Sequence, residues 1–167
     1  MDRAALEALY RAEEGPLYNV VYRWIWRREE AMEIVQEAFT RLWRMRDRIR
    51  PETARALLYR VALNLAASRR RWAKAKRFVG LEGAADQETG APDAEDRLMA
   101  TERSQAIRAA VEALPEKLRR VIMLCELGEM SYAEVAHTLQ IPEGTVASRR
   151  HAALAKLRAT LGEGMTP

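Results

Sequence analysis

The residues best placed to do chemistry lie near the C-terminus. Ser131-Tyr132-Ala133-Glu134 reads as a capping box, in which Ser131 caps a helix start and Glu134 returns the bond. Val135, Ala136 and Leu139 then form the inner face of a short helix, and Gln140-Ile141-Pro142-Glu143 is a tight turn. Residues 145–161 continue as a longer helix with Val146, Leu154 and Leu157 as its apolar positions. Short helix, four-residue turn and longer helix make a helix-turn-helix. Ala136 is small where the helices must cross closely, and Ile141 and Val146 plug the angle between them. The second helix projects Thr145, Ala147, Ser148, Arg149, His151 and Ala152 near its N-terminal end, where amide dipoles favour phosphate. Ser148, Arg149 and His151 are the best candidates for reaching DNA base edges, with Thr145 among the DNA-facing residues beside them, and Arg149 suits a bidentate bond to guanine. Arg150 and Lys156 suit phosphate. The plainer alternative is an ordinary helical hairpin.

A second pattern is Glu30-Ala31-Met32-Glu33-Ile34-Val35-Gln36-Glu37-Ala38-Phe39. Glu33, Gln36, Glu37 and Thr40 stand at i, i+3, i+4 and i+7 and form one polar stripe beside an apolar one. Paired carboxylates on a helix raise acid–base catalysis, but no histidine and no glycine-rich phosphate loop stand near them in the sequence. The stripe is either a solvated face or a docking face for another protein.

A third pattern is the run Leu58-Tyr59-Arg60-Val61-Ala62-Leu63-Asn64, followed by Ser68-Arg69-Arg70-Arg71-Trp72. Residues 53–81 contain no acid and eight bases: Arg55, Arg60, Arg69, Arg70, Arg71, Lys74, Lys76 and Arg77. Such a block attracts polyphosphate through steering and counterion release. Tyr59 and Asn64 suit stacking on bases and bonding to their edges. Against this stands a solvated helix with Tyr59 in the core, a reading weakened by the lack of a compensating acid.

These groups must be positioned by helices. Leu6, Leu9 and Tyr10 mark a short helix that Gly15-Pro16 is expected to break, and Leu17, Val20, Val21 and Trp24 mark the next. Arg27-Arg28-Glu29-Glu30 is expected as a turn. Ala31, Ile34, Val35, Ala38, Leu42 and Met45 mark a helix whose apolar face Phe39 and Trp43 widen, and residues 49–53 a loop. Leu57, Leu58, Val61, Leu65 and Trp72 are expected as the apolar face of the basic helix. Further on, Ile107, Ala110, Val111 and Leu114 mark another helix. Pro115 restarts the chain, and Leu118, Val121, Ile122 and Cys125 form a buried stripe that stops at Gly128.

Composition agrees with an all-α protein: 8 Gly and 6 Pro in 167 residues leave few breakers. One cysteine excludes an internal disulfide framework and a cysteine-rich metal site, and His137 and His151 make no zinc motif, so no metal or cofactor is expected. No apolar run is long enough for membrane insertion and the first residues form no apolar signal core, so a soluble, reducing, cytoplasmic setting is the expectation. The net charge of +4 divides unevenly into +8 over residues 1–79, −5 over 80–100 and +1 over 101–167. The middle segment is acidic, lacks aromatics and reads as a flexible linker. Two small helical domains, 1–79 and 101–167, are therefore expected.

In this order, the three patterns resemble an extracytoplasmic-function sigma factor of bacterial RNA polymerase. The first domain resembles the family's sigma-2 domain. Its Asp-Ala-Glu-Asp-Leu-Val-Gln-Glu-x-Phe signature stands here as residues 30–39, followed by Arg41-Leu42-Trp43, and its Trp-Leu-Tyr-Arg-Ile-Ala-Arg-Asn as residues 57–64. The second domain resembles sigma-4: Leu114-Pro115, then Met130-Ser131-Tyr132-Ala133-Glu134-Val135-Ala136, then Gln140-Ile141-Pro142-Glu143-Gly144-Thr145-Val146-Ala147-Ser148-Arg149. Gln140 replaces the family's Gly at the turn, so a left-handed backbone there carries strain.

The resemblance implies roles. Glu33, Gln36, Glu37 and Phe39, with Leu42 and Trp43 behind them, dock on the clamp helices of the largest subunit of core RNA polymerase. The loop at 49–53 and the helix bearing Tyr59, Arg60, Asn64, Arg69, Arg70 and Arg71 open and read the minus-ten element of promoter DNA, with Asn64 as base reader. The last helix reads the minus-thirty-five element, and the linker threads toward the polymerase channel. An anti-sigma factor is the implied regulator, and the chain is not an enzyme. Two other readings stay open: a free-standing helix-turn-helix regulator, and a helical adaptor that binds no DNA. The basic helix of the first domain argues against the former, and the helix-turn-helix against the latter.

Overall fold

The computed structural model describes residues 1–79 and 101–162. The linker at 80–100, and the side chains of Lys76 and Arg77, lie outside the described residues. The chain separates into two compact units, and every regular element among the described residues is helical.

In the first unit, α1 (Arg3–Ile25) begins on Asp2, whose carboxylate accepts the Ala5 amide at 2.7 Å. The expected break at Gly15-Pro16 does not occur. Proline forfeits one backbone bond, but Leu6, Glu13, Leu17, Val20, Val21 and Trp24 are all buried along one helical face. Packing of that continuous face outweighs the lost bond. α1 ends at Trp26, which adopts a left-handed backbone at φ 57°. The expected turn at residues 27–30 is nearly absent, because Arg28, Glu29 and Glu30 already form the first turn of α2 (Arg28–Met45). Acids there complement the positive end of the helix dipole.

A 3-10 turn (Arg46–Arg48) leads to α3 (Pro51–Val79). The expected loop at 49–53 shrinks to Ile49 and Arg50, since Pro51 opens the helix and the Arg50 carbonyl accepts both the amide and hydroxyl of Thr53 at 3.0 Å. α1, α2 and α3 pack against one another pairwise. The buried face of α3 is Leu58, Tyr59, Ala62, Leu63, Ala66 and Ala67. Leu57, Val61 and Leu65 are only half-buried, and Trp72 is 67% exposed, against expectation. The phase differs because α3 touches two helices at once. Its alanines mark that wide, close contact, and alanine carries little weight in an apolar pattern.

In the second unit, α4 (Glu102–Ala113) is capped by Thr101, whose hydroxyl accepts the Ser104 amide at 3.2 Å. α5 (Glu116–Glu126) follows the Leu114-Pro115 corner. It buries Leu118, Val121, Ile122, Met123 and Leu124, whereas Cys125 is only partly buried, a correction to the expected stripe. α5 is surrounded on more than one side, by α6 (Tyr132–Leu139) and α7 (Glu143–Leu161), so its buried arc is broad. The helix stops at Gly128 as expected. A Cβ there would lie 2.8 Å from the Leu124 carbonyl oxygen, so only glycine lets the chain fold back.

Candidate protein and nucleic-acid interfaces

The first unit is held by a buried polar knot. Glu13, 9% exposed, accepts the Tyr59 hydroxyl at 2.8 Å through Oε2 and Arg55 Nε at 2.7 Å through Oε1. The Arg55 guanidinium also lies 5.4 Å from the Tyr59 ring centre. Burial, then the bond to Glu13, pushes the Tyr59 phenol well above its ordinary range. Tyr59 is fully buried, so it is withdrawn as a base-stacking residue: its ring packs in the core and its hydroxyl ties α3 to α1. Sequence reasoning missed Glu13. The available signal was an acid on the apolar stripe of α1, seven residues after Leu6 and four before Leu17.

The polar stripe of α2 is present on its solvent side. Glu33, Gln36 and Thr40 are exposed, Glu37 is half-exposed and Trp43 is 41% exposed. Arg41 donates to Glu37 at 2.7 Å, and that bond holds the Glu37 carboxyl below the usual carboxylate range. Phe39 and Leu42 face the other way, at 7% and 0% exposure: Phe39 is corrected from a contact residue to a core residue, Leu42 lies behind the face as expected, and Trp43, expected behind it, is on the solvent side. The positions of Phe39 and Leu42 coincide with the apolar stripe that packs on α1 and α3. Phe39 sits 4.8 Å from Tyr10 of α1 between ring centres. Together with Thr40 and Trp43 these rings line a shallow groove between α1 and α2 that sequence reasoning did not find. The Arg46 guanidinium covers one face of Trp43 at 4.4 Å.

On α3, Asn64, Ser68, Arg69 and Arg71 are exposed, and Arg60 and Arg70 are half-exposed. About 100° of rotation per residue puts Arg60, Asn64, Ser68 and Arg71 on one outward stripe. The acid-free appearance of this segment does not survive folding. Arg55 is compensated by Glu13 from α1, and Arg69 donates to Glu33 of α2 at 2.8 Å. Sequence separations of 42 and 36 residues hide both pairs from a local charge count.

The helix-turn-helix forms as expected. Both halves of the capping box are present: Ser131 Oγ accepts the Glu134 amide at 3.3 Å, and the Ser131 amide donates to Glu134 Oε2 at 2.8 Å. Gln140 takes the left-handed conformation at φ 56°, ψ 49°. α7 begins at Glu143, two residues earlier than the apolar pattern suggested. Val146, Ala153, Leu157 and Leu161 face the core, and Leu154 is half-buried rather than buried. Ser148, His151 and Lys156 are exposed, and Thr145, Arg149 and Arg150 half-exposed. The Ser148 hydroxyl donates to the Thr145 carbonyl at 3.1 Å. Arg150 reaches back to Glu126 of α5 at 2.7 Å and to the Tyr132 hydroxyl at 3.4 Å, so it braces the motif.

A bundle of three long helices and a separate capped helix-turn-helix match two family models in the same order: Sigma-70 region 2 over residues 9–78 and Sigma-70, region 4 over residues 104–157. The chain is 34% identical over 168 residues to the ECF RNA polymerase sigma factor SigL of Mycobacterium tuberculosis, covering 97% of this chain and 92% of that protein. It belongs to the ECF RNA polymerase sigma factors. The ECF sigma factor SigW of Bacillus subtilis is 31% identical over 169 residues, covering 96% of this chain and 90% of SigW. A similar fold occurs in the sigma factor RpoE solved in complex with the anti-sigma factor NepR from Bartonella quintana, with TM-score 0.72 at 19% identity, covering 94% and 96% of the two chains.

The sigma factor's region 2 match thus spans the α2 stripe and the α3 face, and its region 4 match the helix-turn-helix. As a member of this family, the chain directs promoter-specific initiation by RNA polymerase. No helix among the described residues is long and apolar enough to cross a membrane.

Proposed function

We propose that this sigma factor divides its contacts between its units as follows. Glu33, Gln36, Glu37, Thr40 and Trp43 on α2 dock on the clamp helices of the largest polymerase subunit, with Phe39 and Leu42 holding the face from behind. Arg60, Asn64, Arg70 and Arg71 on α3 engage the minus-ten element, Asn64 reading a base. Thr145, Ser148, Arg149 and His151 on α7 read the minus-thirty-five element, while Lys156 meets phosphate. Arg150 braces the motif from the side. Residues 1–79 and 101–167 act as the two domains, and 80–100 connects them through the polymerase channel. An anti-sigma factor covers these faces when the protein is silent, in keeping with the partner of the RpoE relative. The chain performs no catalysis and works in the cytoplasm.

The observation that carries this reading is the presence of two separate outward polar faces, on α3 and on α7, in two units of one chain. A single-site regulator needs only one. The test is run-off transcription with core polymerase on a pool of promoters. Specific starts are expected with the wild type, and Gln36→Ala with Glu37→Ala is expected to weaken core binding while leaving the helical content unchanged. Starts no more specific than those of core alone, or unchanged core affinity in the double variant, overturn the corresponding half.

A further inference from the structure

We infer that Glu13 is a positioning residue for promoter recognition: from inside the first unit it fixes the rotation and axial register of α3, so that Arg60 and Asn64 face the minus-ten element. The inference rests on the reading of α3 as the minus-ten face and adds to it a residue of another helix, buried at 9% exposure.

The geometry of one carboxylate is the argument. Oε1 of Glu13 accepts Arg55 Nε at 2.7 Å, and Oε2 accepts the Tyr59 hydroxyl at 2.8 Å. Arg55 and Tyr59 stand four residues apart on α3, about 6 Å along its axis. Two anchor points a turn apart on one planar group fix both how far α3 slides and how far it turns. A slip of about 1 Å takes one of the bonds beyond hydrogen-bond range. The rest of the buried face constrains α3 less. Ala54, Ala56, Ala62, Ala66 and Ala67 present low ridges, which a neighbouring helix crosses with little penalty. Leu58 and Leu63 fill space, but apolar contact has no direction. The Arg69–Glu33 pair is exposed at 43% and 60% and holds weakly.

Arg60 follows Tyr59 at about 100° around the helix, and Asn64 follows it at about 140°. With the Tyr59 hydroxyl pinned in the interior, both are turned to the solvent side. Well-packed apolar groups would stabilise the unit as well as a buried charge pair does. What the carboxylate adds is direction, and a side chain that reads a base needs its groups held to within about 0.5 Å.

The test uses the full chain assembled with core polymerase. It compares affinity for a fork-junction promoter with that for the same fork with its minus-ten base pairs substituted. The ratio is measured for Glu13→Gln, for Tyr59→Phe, and for a triple variant, Glu13→Leu with Arg55→Leu and Tyr59→Phe, at a temperature at which circular dichroism shows each folded. Glu13→Gln is expected to lower the ratio about fivefold and Tyr59→Phe about twofold. Core affinity and binding to a minus-thirty-five duplex are expected to be unchanged. The triple variant is expected to recover much of the urea midpoint that Glu13→Gln loses and none of the discrimination, because it restores packing without the two bonds. Recovery of the ratio along with the midpoint would mean that Glu13 only stabilises the unit, and overturns the proposal. So does an unaltered ratio in Glu13→Gln or, should the triple variant not fold, in Tyr59→Phe, which keeps the ring in place. A wild-type ratio near one would instead overturn the minus-ten reading of α3.

Discussion

The two units bury charge in different ways. In the first, a carboxylate sits at the centre: Glu13 receives Arg55 and Tyr59 from another helix, across 42 and 46 residues of sequence. In the second, a guanidinium does. Arg119, 7% exposed, gives one nitrogen to the Glu112 and Leu114 carbonyls, 3.1 Å from each, where α4 ends. The first arrangement sets the rotation of α3 against α1, and with it which residues of α3 reach solvent. The second closes a corner between consecutive helices by donating to backbone oxygens. An ionic knot fails badly when one member is removed, because the others are left charged or polar in the interior. A cation on carbonyls leaves only neutral groups behind.

The largest expected effect follows from that contrast. Glu13→Gln removes the charge that Arg55 pairs with and is expected to destabilise the first unit by about 2 to 3 kcal/mol, reduced from the fully buried case because Arg55 is 29% exposed. Arg119→Met, which keeps the aliphatic stem, is expected to cost the second unit about 1 to 2 kcal/mol. All four tryptophans, Trp24, Trp26, Trp43 and Trp72, lie in the first unit. Urea unfolding followed by tryptophan fluorescence therefore reports that unit, and circular dichroism reports both. Equal losses would break the contrast. The knot also has a pH signature. The folded Tyr59 phenol is held above its ordinary value of 10.0, so its contribution is complete below that pH and is lost as pH rises past it. The fluorescence midpoint is expected to fall above about pH 10 in the wild type, and to fall less in Tyr59→Phe.

The same contrast explains what the sequence made legible. Helix-turn-helix signals are local: the capping box spans four residues, and Gly128 and Gln140 sit where the backbone must turn back or left-handed. These could be read directly. In the first unit the decisive partners are distant. Arg55 and Arg69 looked uncompensated because Glu13 and Glu33 arrive from other helices. The buried face of α3 was misplaced for a related reason. Tyr59 looked amphipathic and Ala62, Ala66 and Ala67 looked neutral, although small residues are what two close helical neighbours require. Pro16 misled because the breaker signal is local and the packing that overrides it spans the whole of α1.

A smaller effect concerns two of the left-handed residues, the helix caps Trp26 and Gln140, one in each unit. Gln140 is exposed, and its side chain gives little in return for φ 56°. Gln140→Gly is expected to stabilise the second unit by about 0.5 to 1 kcal/mol in thermal or urea unfolding. Trp26 adopts φ 57°, but its ring meets Tyr22 edge-on at 5.7 Å and lies 5.0 Å from the Arg23 guanidinium. Trp26→Gly is therefore expected to destabilise the first unit. Stabilisation by glycine at both positions would mean that the aromatic contacts of Trp26 contribute little, and the units would be alike in this respect.

The smallest effect on stability has the most direct bearing on DNA. Each unit holds a candidate DNA-facing arginine on a carboxylate of its own: Arg69 on Glu33 and Arg150 on Glu126. Both pairs are substantially exposed, so Glu33→Gln and Glu126→Gln are each expected to change stability by less than about 0.5 kcal/mol. Their effects on nonspecific duplex binding by the free chain should differ. Loss of Glu33 releases the full charge of Arg69 beside Arg70 and Arg71, and the slope of log affinity against log salt is expected to steepen by about one. Loss of Glu126 leaves Arg150 still on the Tyr132 hydroxyl and turned toward α5, so its slope should move less. Equal steepening in the two variants would show that Arg150 swings out to phosphate once its acid is gone, restoring it to the DNA face that the sequence first assigned it.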